Sequence, residues 1–180
     1  NSVAPPALPN CMSIDNISGN PWQTNAYPPA GMTGNAARIS WTPSGSPDMN
    51  SWLFTQGLQL QAGTSYRLTY KFTNSSSSFV ERMASAYGTA TNGAAMTTFL
   101  RYHDVIQTTD ELVDTSDFTP AATGVYYIGF QCYSQANQLS LYLDDIKVVV
   151  SPTCEQPNGT TLVQAFTDGV DFTWNASASD

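Results

Sequence analysis

The chain repeats a short pattern in which apolar and polar residues alternate and turn-forming residues separate the runs. Between residues 66 and 72, tyrosine, leucine, tyrosine and phenylalanine alternate with arginine, threonine and lysine. A two-residue period is typical of a β-strand that buries one face and exposes the other. Runs of this kind predict these strands: Ala37–Trp41, Trp52–Thr55, Leu58–Gln61, Ser65–Asn74, Phe79–Gly88, Ala94–His103, Val105–Thr109, Val125–Tyr133 and Leu139–Val150.

Turn signals lie between these runs, and no segment keeps a helical period. The clearest are Asn92-Gly93 and Thr123-Gly124, together with the prolines and glycine of residues 43–47. Many short strands joined by turns favour two packed sheets over a helical or mixed fold. We therefore predict an all-β protein, a two-sheet antiparallel jelly-roll sandwich over residues 11–150.

The last of these strands changes phase at a pair of aspartates. Leucines at positions 139, 141 and 143 share one face, whereas Ile146 and Val148 resume the apolar row one residue out of step. An extra residue at Asp144-Asp145, which is a β-bulge, restores the register. Carboxylates at a half-buried bulge need backbone N–H groups, a hydroxyl or a cation as partners. Asp144 and Asp145 are therefore the first candidate site.

The composition changes on both sides of the sandwich. Residues 1–10 are rich in proline and alanine and are interpreted as a linker, as are residues 151–159. Residues 160–180 contain two strand-like runs joined by Asp168-Gly169, a hairpin-turn pair. Since an immunoglobulin-like sandwich takes about 100 residues, we expect this segment to form the first strands of a partial second β-sandwich.

Charge and composition restrict the classes of partner. Only 11% of the 180 residues are charged, and the formal net charge is −8. An acidic chain with few basic residues is a poor partner for nucleic acid or an anionic membrane surface. No run of about 18 apolar residues is present, so no membrane insertion is expected. A surface rich in serine, threonine, asparagine and glutamine favours an extracellular or cell-surface location.

Three cysteines leave one sulfur unpaired if a disulfide forms. Cys132 shares a strand face with Ile128 and Phe130, which favours a buried thiol at that position. Cys11 and Cys154 lie in proline-containing segments on either side of the sandwich. They could bond to each other, or either could bond to Cys132, and the spacing does not choose among these pairings. The lack of a CxxC pair or a Cys/His cluster argues against a zinc site.

Two motifs near the end of the sandwich resemble a known family. The runs Tyr127–Ser134 and Leu141–Val148 are similar to the penultimate and closing strands of cleaved-adhesin and choice-of-anchor modules, and residues 51–70 resemble two earlier strands. These modules are MAM-like jelly-roll domains of bacterial surface and secreted proteins, so the resemblance implies a non-enzymatic adhesion module. Residues 154–174 resemble the start of a fibronectin type III domain, which commonly follows this jelly roll.

The resemblance also implies a cofactor. In similar jelly rolls an aspartate of the closing strand helps to hold a structural calcium ion, together with oxygens from the opening strand. Calcium takes about six to eight oxygen ligands, so Asp144 and Asp145 would need Asp15, Asn16 or carbonyl groups near them. The sequence around Asp15 and Asn16 departs from the aromatic–acid pair that is common in the family.

Aromatic side chains form a second group of candidates. Sugar-binding proteins stack aromatic rings on pyranose faces and bond the sugar hydroxyls with neighbouring polar groups. We predict that Trp22, Tyr27, Tyr102 and Tyr142 are available for a glycan ligand. The alternative for each ring is a place in the core.

The only histidine and five acidic residues lie between residues 103 and 117. A run of acids is more often a solvated loop than a cation site. His103 is expected to be a surface residue at a strand end, with Asp104 pointing to the opposite face. The sequence has no Gly-x-Ser-x-Gly motif and no distinctive carboxylate pair, so no catalytic residue is predicted.

These observations predict a non-enzymatic extracellular module that binds a carbohydrate polymer, a glycan or a surface protein. Its other partners would be neighbouring domains of the same chain or filament. Two alternatives stay open, an accessory domain of a secreted hydrolase and a structural subunit of an extracellular filament. The filament would form by strand exchange through residues 154–180, whose two strands have unpaired edges.

Overall fold

The protein is built from β-strands, and the part of the chain that the structure describes contains no α-helix. The structure is a computed structural model, which describes residues 8, 11–29, 31–32 and 34–152, and the backbone of residues 161–165 and 170–173. The chain divides into two compact units between Val149 and Val150. Within the described residues, no helix is long and apolar enough to cross a membrane.

The first unit contains eleven described strands and one short 3₁₀ helix, Gly93–Ala95. The strands are β1 (Ser13–Ser18), β2 (Gln23–Asn25), β3 (Ala36–Ser40), β4 (Asn50–Phe54), β5 (Leu58–Leu60), β6 (Tyr66–Asn74), β7 (Glu81–Gly88), β8 (Thr98–Ile106), β9 (Leu112–Phe118), β10 (Gly124–Cys132) and β11 (Ser140–Val150).

These strands differ from the predicted set in three places. The sequence gives no clear alternation for β1 and β2, and β9 occupies part of the acidic run that predicts a solvated loop. The single strand β8 spans the gap between the predicted strands Ala94–His103 and Val105–Thr109. Polar segments become extended here because a neighbouring strand pairs with them, and the local pattern does not contain that information.

The eleven strands form two antiparallel sheets that face each other across one core. The six-stranded sheet has the order β1-β4-β10-β7-β8, with β5 paired to the first residues of β10. The five-stranded sheet has the order β2-β3-β11-β6-β9. The chain passes repeatedly from one sheet to the other, which is the architecture of a jelly-roll sandwich. The predicted fold class is confirmed.

One face of each sheet supplies the core. In β6, Tyr66, Leu68, Tyr70 and Phe72 are buried, as their alternation with polar residues predicts. They pack with residues of the facing sheet, including Phe130 of β10. Burial of each large apolar side chain stabilises the fold by roughly 1.5–3 kcal/mol, so this face fixes the register of the strand.

The closing strand β11 contains the predicted change of phase. Leu141 and Leu143 belong to the core, and Ile146 and Val148 pack against the same core. The shift from odd to even positions requires one extra residue between them. Asp145 lies at this point with a φ of 49°, in the left-handed region. The acidic pair therefore lies at a kink in the strand.

The second unit is described as a backbone hairpin. Strands β12 (Thr161–Ala165) and β13 (Val170–Thr173) form a two-stranded antiparallel sheet. The predicted Asp168-Gly169 turn and Cys154 lie outside the described residues. The resemblance of this segment to a fibronectin type III domain stays a prediction.

Candidate functional site

Two of the four aromatic side chains that are exposed among the described residues of the first unit, Phe99 and Tyr102, lie on the outer face of the six-stranded sheet, whereas Tyr27 and Trp41 follow β2 and β3 of the other sheet. In β4, Leu53 points into the core, whereas Trp52 and Phe54 form a separate cluster on the opposite face. Residues that are paired across neighbouring strands lie on the same face of a sheet. Because Gln131 of β10 is in register with Trp52 and with Ala84 of β7, this outer face continues across the sheet.

A row of side chains crosses the middle of this face. Ala84 is in register with Gln131 on one side and with Tyr102 of β8 on the other. The side-chain amide of Gln131 donates a hydrogen bond to Oδ1 of Asn50, 2.9 Å away. The row therefore places two amide groups and an aromatic ring on one surface, with only a methyl group between them.

A bulge in β8 brings two aromatic rings together. The register between β7 and β8 shifts after Ser85, and Leu100 is the extra residue. The shift places Phe99 and Tyr102 on the same face, where their rings stack with centroids 4.9 Å apart and planes 17° apart. Phe99 is 39% exposed and Tyr102 is 55% exposed. Their rings form an open apolar surface.

Tyr133 of the segment after β10 borders this surface. Its ring stands edge-on to Tyr102, with centroids 6.4 Å apart and planes at 75°. Its hydroxyl donates a hydrogen bond to Oδ1 of Asp104 over 2.9 Å. Burial and the Asp104 carboxylate both raise the pKa of Tyr133. The hydroxyl thus keeps its proton, and the hydrogen bond holds the ring in place.

The loop between β7 and β8 borders the surface on the other side. Met96 packs with Trp52 and Phe54, whose parallel rings lie 6.0 Å apart. Gly93 lies so close to the indole that a Cβ would be 2.6 Å from Nε1 of Trp52. The N–H of Gly93 donates a hydrogen bond to Oδ2 of Asp15, 2.9 Å away. Trp52 and Phe54 are buried by this loop, so the open rings are those of β8 and Tyr133.

We call Phe99, Tyr102 and Tyr133, with Gln131 and Asn50, the aromatic face. None of these five side chains carries a charge at neutral pH. The outer face of the five-stranded sheet is ionic by contrast. Its ion pairs include Arg67 with Asp117 at 2.7 Å and Lys71 with Asp145 at 3.0 Å. Rings and amides without charge suit an uncharged ligand that has both apolar C–H surfaces and hydroxyl groups.

Of the four rings predicted to meet a ligand, Tyr102 lies on the aromatic face. Trp22 is 1% exposed, and its indole N–H donates a hydrogen bond to the Ser51 carbonyl oxygen over 3.0 Å. Tyr142 is 8% exposed and belongs to a small buried cluster. The prediction is wrong for Trp22 and Tyr142, because neither ring face is open to a ligand. Tyr27 is 89% exposed but follows β2 of the other sheet.

Sequence reasoning missed Phe99, Tyr133 and Gln131 as site residues. A regular strand would place Phe99 and Tyr102 on opposite faces. Because the sequence does not show the bulge at Leu100, it does not predict that the two rings share a face. Tyr133 and Gln131 share a face by simple alternation and could have been grouped. Only the register of β10 against β7 and β4 places that group beside Tyr102.

The predicted cation ligands lie on different sheets. Asp15 is in register with Trp52 on the outer face of the six-stranded sheet, whereas Asp144 and Asp145 belong to the five-stranded sheet. The side chain of Asn16 donates a hydrogen bond to the Gly19 carbonyl oxygen over 3.1 Å. The structure therefore separates Asp15 and Asn16 from Asp144 and Asp145, since strand pairing fixes the two pairs in different layers.

A lysine lies where a cation was predicted. Nζ of Lys71 is 3.0 Å from Oδ2 of Asp145 and 3.2 Å from Oε1 of Glu111, and hydrogen bonds to both raise the pKa of Lys71. Oδ1 of Asp144 accepts a hydrogen bond from the Asp145 N–H, but its Oδ2 is buried without a partner among the described residues. Burial raises the pKa of Asp144. Within the described chain, no group of three or more His, Cys, Asp or Glu side chains is placed to hold a metal ion.

His103 is partly buried in a polar network and lies inside β8, so the prediction of a surface residue at a strand end is wrong. Its Nε2 lies 2.8 Å from the hydroxyl oxygen of Tyr70, and that hydroxyl donates a hydrogen bond to Oδ2 of Asp114 over 2.9 Å. Burial lowers the pKa of His103, with Arg101 acting in the same direction and Asp114 against it. The network joins β8 of one sheet to β6 and β9 of the other, which indicates a structural role.

The cysteines provide a buried thiol and an exposed one. Cys132 is fully buried and free, and its sulfur lies 3.4 Å from Oγ of Ser134. Burial raises the pKa of the Cys132 thiol to about 12, which makes it unreactive at neutral pH. Cys11 is exposed and is not bonded to Cys132, so that pairing, which the spacing left open, is wrong. Since Cys154 lies outside the described residues, a disulfide that includes it stays a prediction.

Comparison with known proteins identifies the fold. No protein-family model matches the sequence, and no match to a curated protein is found. Solved structures do match. The K1 cleaved adhesin domain of Lys-gingipain from Porphyromonas gingivalis W83 superposes with a TM-score of 0.67 at 18% identity, over 81% of this chain and 94% of that chain. Carbohydrate-binding structures also match.

TmCBM61, solved in complex with β-1,4-galactotriose, has a TM-score of 0.58 at 12% identity, over 79% of this chain and 90% of that chain. The CBM22-1 xylan-binding domain of Xyn10C from Paenibacillus barcinonensis has a TM-score of 0.52 at 8% identity, over 76% of this chain and 85% of that one. At these identities the likeness concerns the fold. The protein is thus a jelly-roll of the type found in adhesin and carbohydrate-binding modules.

Proposed function

We propose that this protein is a non-enzymatic extracellular module that binds carbohydrate through the aromatic face. The observation that carries the proposal is the exposed stack of Phe99 and Tyr102 beside the Gln131–Asn50 amide pair. Aromatic rings contact the C–H faces of a sugar, and amide groups bond its hydroxyls. The partner would be a polymer or a glycan displayed on a surface.

The fold supports this proposal without defining the ligand. The similar structures include an adhesin domain, a module solved with a galactotriose and a xylan-binding domain. Each of these is described as a binding or adhesion domain. The five side chains of the aromatic face include no carboxylate, imidazole, amine or thiol, and the hydroxyl of Tyr133 donates a hydrogen bond to Asp104. A binding role suits this chemistry better than catalysis.

A glycan array with matched variants tests the proposal. Tyr102→Ala removes the more exposed ring of the stack, and truncation of a binding hot spot weakens affinity by roughly tenfold or more. Tyr27→Ala is the control, because Tyr27 is a still more exposed tyrosine that follows β2 of the other sheet. We expect the control to bind as the native protein does. A folded protein that binds no glycan, or a Tyr102→Ala variant with unchanged binding, would contradict the proposal.

A filament subunit is the second candidate function. The observation in its favour is that β12 and β13, within the described residues, form a two-stranded sheet. An isolated hairpin is marginally stable in water and gains stability from a third strand or a packed layer, which a neighbouring molecule could supply by strand addition. Electron microscopy of the full chain would show fibres in this case. Separate particles at high protein concentration would count against it.

We also propose that a cation can stiffen the kink of β11. The unpartnered, buried Oδ2 of Asp144 is the observation that fits such an ion. Its other ligands would be carbonyl oxygens or water, because Asp145 and Glu111 pair with Lys71 and no three acidic side chains of the described chain are placed to hold a metal ion. Lys71 already neutralises part of this charge, so a bound calcium ion would have to share or replace the ammonium group. Asp15 and Asn16 do not contribute, because they belong to the other sheet.

A further inference from the structure

A second concave surface lies at one end of the sandwich, away from the aromatic face. The loop that joins β7 to β8 and the loop that joins β9 to β10 border an open cleft of about 330 Å³. Its lining includes the rings of Tyr87 and Tyr126, together with Thr97 and Thr98. This volume is at the lower end of the roughly 300–1,000 Å³ typical of ligand pockets, so it suits a ligand about the size of one sugar ring.

Contacts with the core and with a neighbouring loop hold the rings of Tyr87 and Tyr126 in position. The ring of Tyr87 packs on Phe118 at 4.7 Å and meets Tyr126 at 5.8 Å, between ring centroids. The hydroxyl of Tyr126 donates a hydrogen bond to the Ala122 carbonyl oxygen over 2.9 Å. This bond fixes the ring of Tyr126, which is half-buried and continues the aromatic row to the surface. The two rings therefore form a rigid and apolar part of the lining.

The lining of the cleft also offers hydroxyl groups. Within the described chain, the hydroxyls of Tyr87, Thr97 and Thr98 make no hydrogen bond to another residue. The loop that carries the threonines is closely packed, because a Cβ on Gly88 would collide with the Ala95 carbonyl oxygen. Three unused hydroxyls around a ring-sized cavity can exchange their water for a ligand's hydroxyls.

Charge is absent from the sequence around this cavity. Residues 83–100 and 118–143 contain no Asp, Glu, Lys, Arg or His, although the whole chain carries a formal net charge of −8. A ligand with a carboxylate or phosphate would find no counter-ion here, and an amine would find no carboxylate. The chemistry favours a neutral ring that has an apolar face and several hydroxyl groups.

We propose that this tyrosine–threonine pocket is a second binding site, which takes a single uncharged sugar residue at the end of a glycan chain. The inference rests on the proposed carbohydrate-binding function but concerns a different surface. A ligand on the aromatic face would cover Phe99 and Tyr102, whereas the terminal residue would enter between Tyr87, Tyr126 and Thr98. The two sites together would let the module hold an internal segment and a chain end.

Saturation-transfer NMR with the full chain tests the pocket. The probes are the methyl glycosides of glucose, galactose, mannose and N-acetylglucosamine, with glucuronate as the charged comparison. Ala121→Trp places a large ring at the pocket, and Ala121 is exposed in the loop between β9 and β10. Ala122→Trp is the matched control, since the neighbouring Ala122 does not line the cavity. Tyr102→Ala reports on the aromatic face alone.

We expect at least one neutral glycoside to bind the native protein, Ala122→Trp and Tyr102→Ala, and to lose about tenfold or more in affinity with Ala121→Trp. Binding that disappears with Tyr102→Ala and persists with Ala121→Trp would overturn the pocket and leave the aromatic face as the only site. No signal from any neutral glycoside in the folded protein would also overturn the pocket. Stronger binding of glucuronate would show that the ligand class is wrong.

Discussion

The rings of Phe99 and Tyr102 stack on one face of β8 although the residues are three positions apart in a single strand. In a regular strand, side chains at this spacing point to opposite faces. The bulge at Leu100 inserts one residue against β7. The side chains on its two sides therefore alternate out of step, which brings Phe99 and Tyr102 to the same face. A local irregularity of the backbone therefore creates the open ring surface on which the proposed function depends.

This stack should be measurable as a coupling between the two residues. We expect Phe99→Ala and Tyr102→Ala to be non-additive, with an interaction free energy of about 0.5–1.5 kcal/mol in a double-mutant cycle of urea unfolding. Both side chains are partly exposed, so neither single change should unfold the protein. A cycle of Phe99→Ala with Tyr27→Ala is the control and should be additive. Additivity in the first cycle would mean that the two rings do not interact in solution.

The fold could be predicted from the sequence because the strands show a clear alternation of apolar and polar residues. In β6 the alternate residues Tyr66, Leu68, Tyr70 and Phe72 are buried, as the pattern predicts. The phase change at Asp144-Asp145 coincides with the left-handed backbone conformation of Asp145 in β11. Both features are local. They follow from the requirement that one face of a strand remain in the core.

The candidate site was harder to predict because it depends on which strands are neighbours. Tyr102 could be chosen as an aromatic candidate from the sequence. Its partner Gln131 lies in β10, two strands away in the six-stranded sheet, and Tyr133 directly follows that strand. Trp22 and Tyr142 are aromatic candidates from the sequence, as Tyr102 is, but the structure buries both of them. Sequence alone cannot separate an exposed ring from a core ring when strand order is unknown.

Trp22 should act as a core residue and leave ligand binding unchanged. It is 1% exposed and its indole N–H bonds to the Ser51 carbonyl oxygen, so Trp22→Ala creates a cavity and leaves that oxygen without its partner. We expect a loss of about 3–5 kcal/mol in the free energy of unfolding, measured with urea. If the variant remains folded, its glycan affinity should equal that of the native protein. A small change in stability with a large loss of binding would instead place Trp22 at the ligand.

The network around His103 predicts a specific dependence of stability on pH. Burial lowers the pKa of His103 below its usual 6.5, with Arg101 opposing the charged form and Asp114 and Asp104 favouring it. The unfolded chain therefore binds the proton more readily than the folded chain. Stability from this residue is present above pH 6.5 and is lost as the pH falls through the lower pKa of the folded state.

NMR titration of this single histidine gives the test. We expect a midpoint below 6.5 in the folded protein, and a free energy of unfolding that decreases from pH 7 to pH 5.5. His103→Gln should flatten the curve in that interval, because the glutamine does not titrate. A midpoint at or above 6.5 would indicate that Asp114 and Asp104 outweigh burial, and the slope would then have the opposite sign.

The kink of β11 gives the most direct test of the proposed cation. If calcium binds at Asp144, a chelator should lower the Tm of the native protein, and excess calcium should restore it. Asp144→Asn keeps an oxygen that can accept the Asp145 N–H but removes the charge, so this variant should lose the response to chelator. Asp15→Asn is the matched control, because Asp15 lies on the other sheet. Its melting curve should still shift with chelator. Identical curves for the native protein with and without chelator would mean that Lys71, at 3.0 Å from Asp145, is itself the counter-ion of the kink.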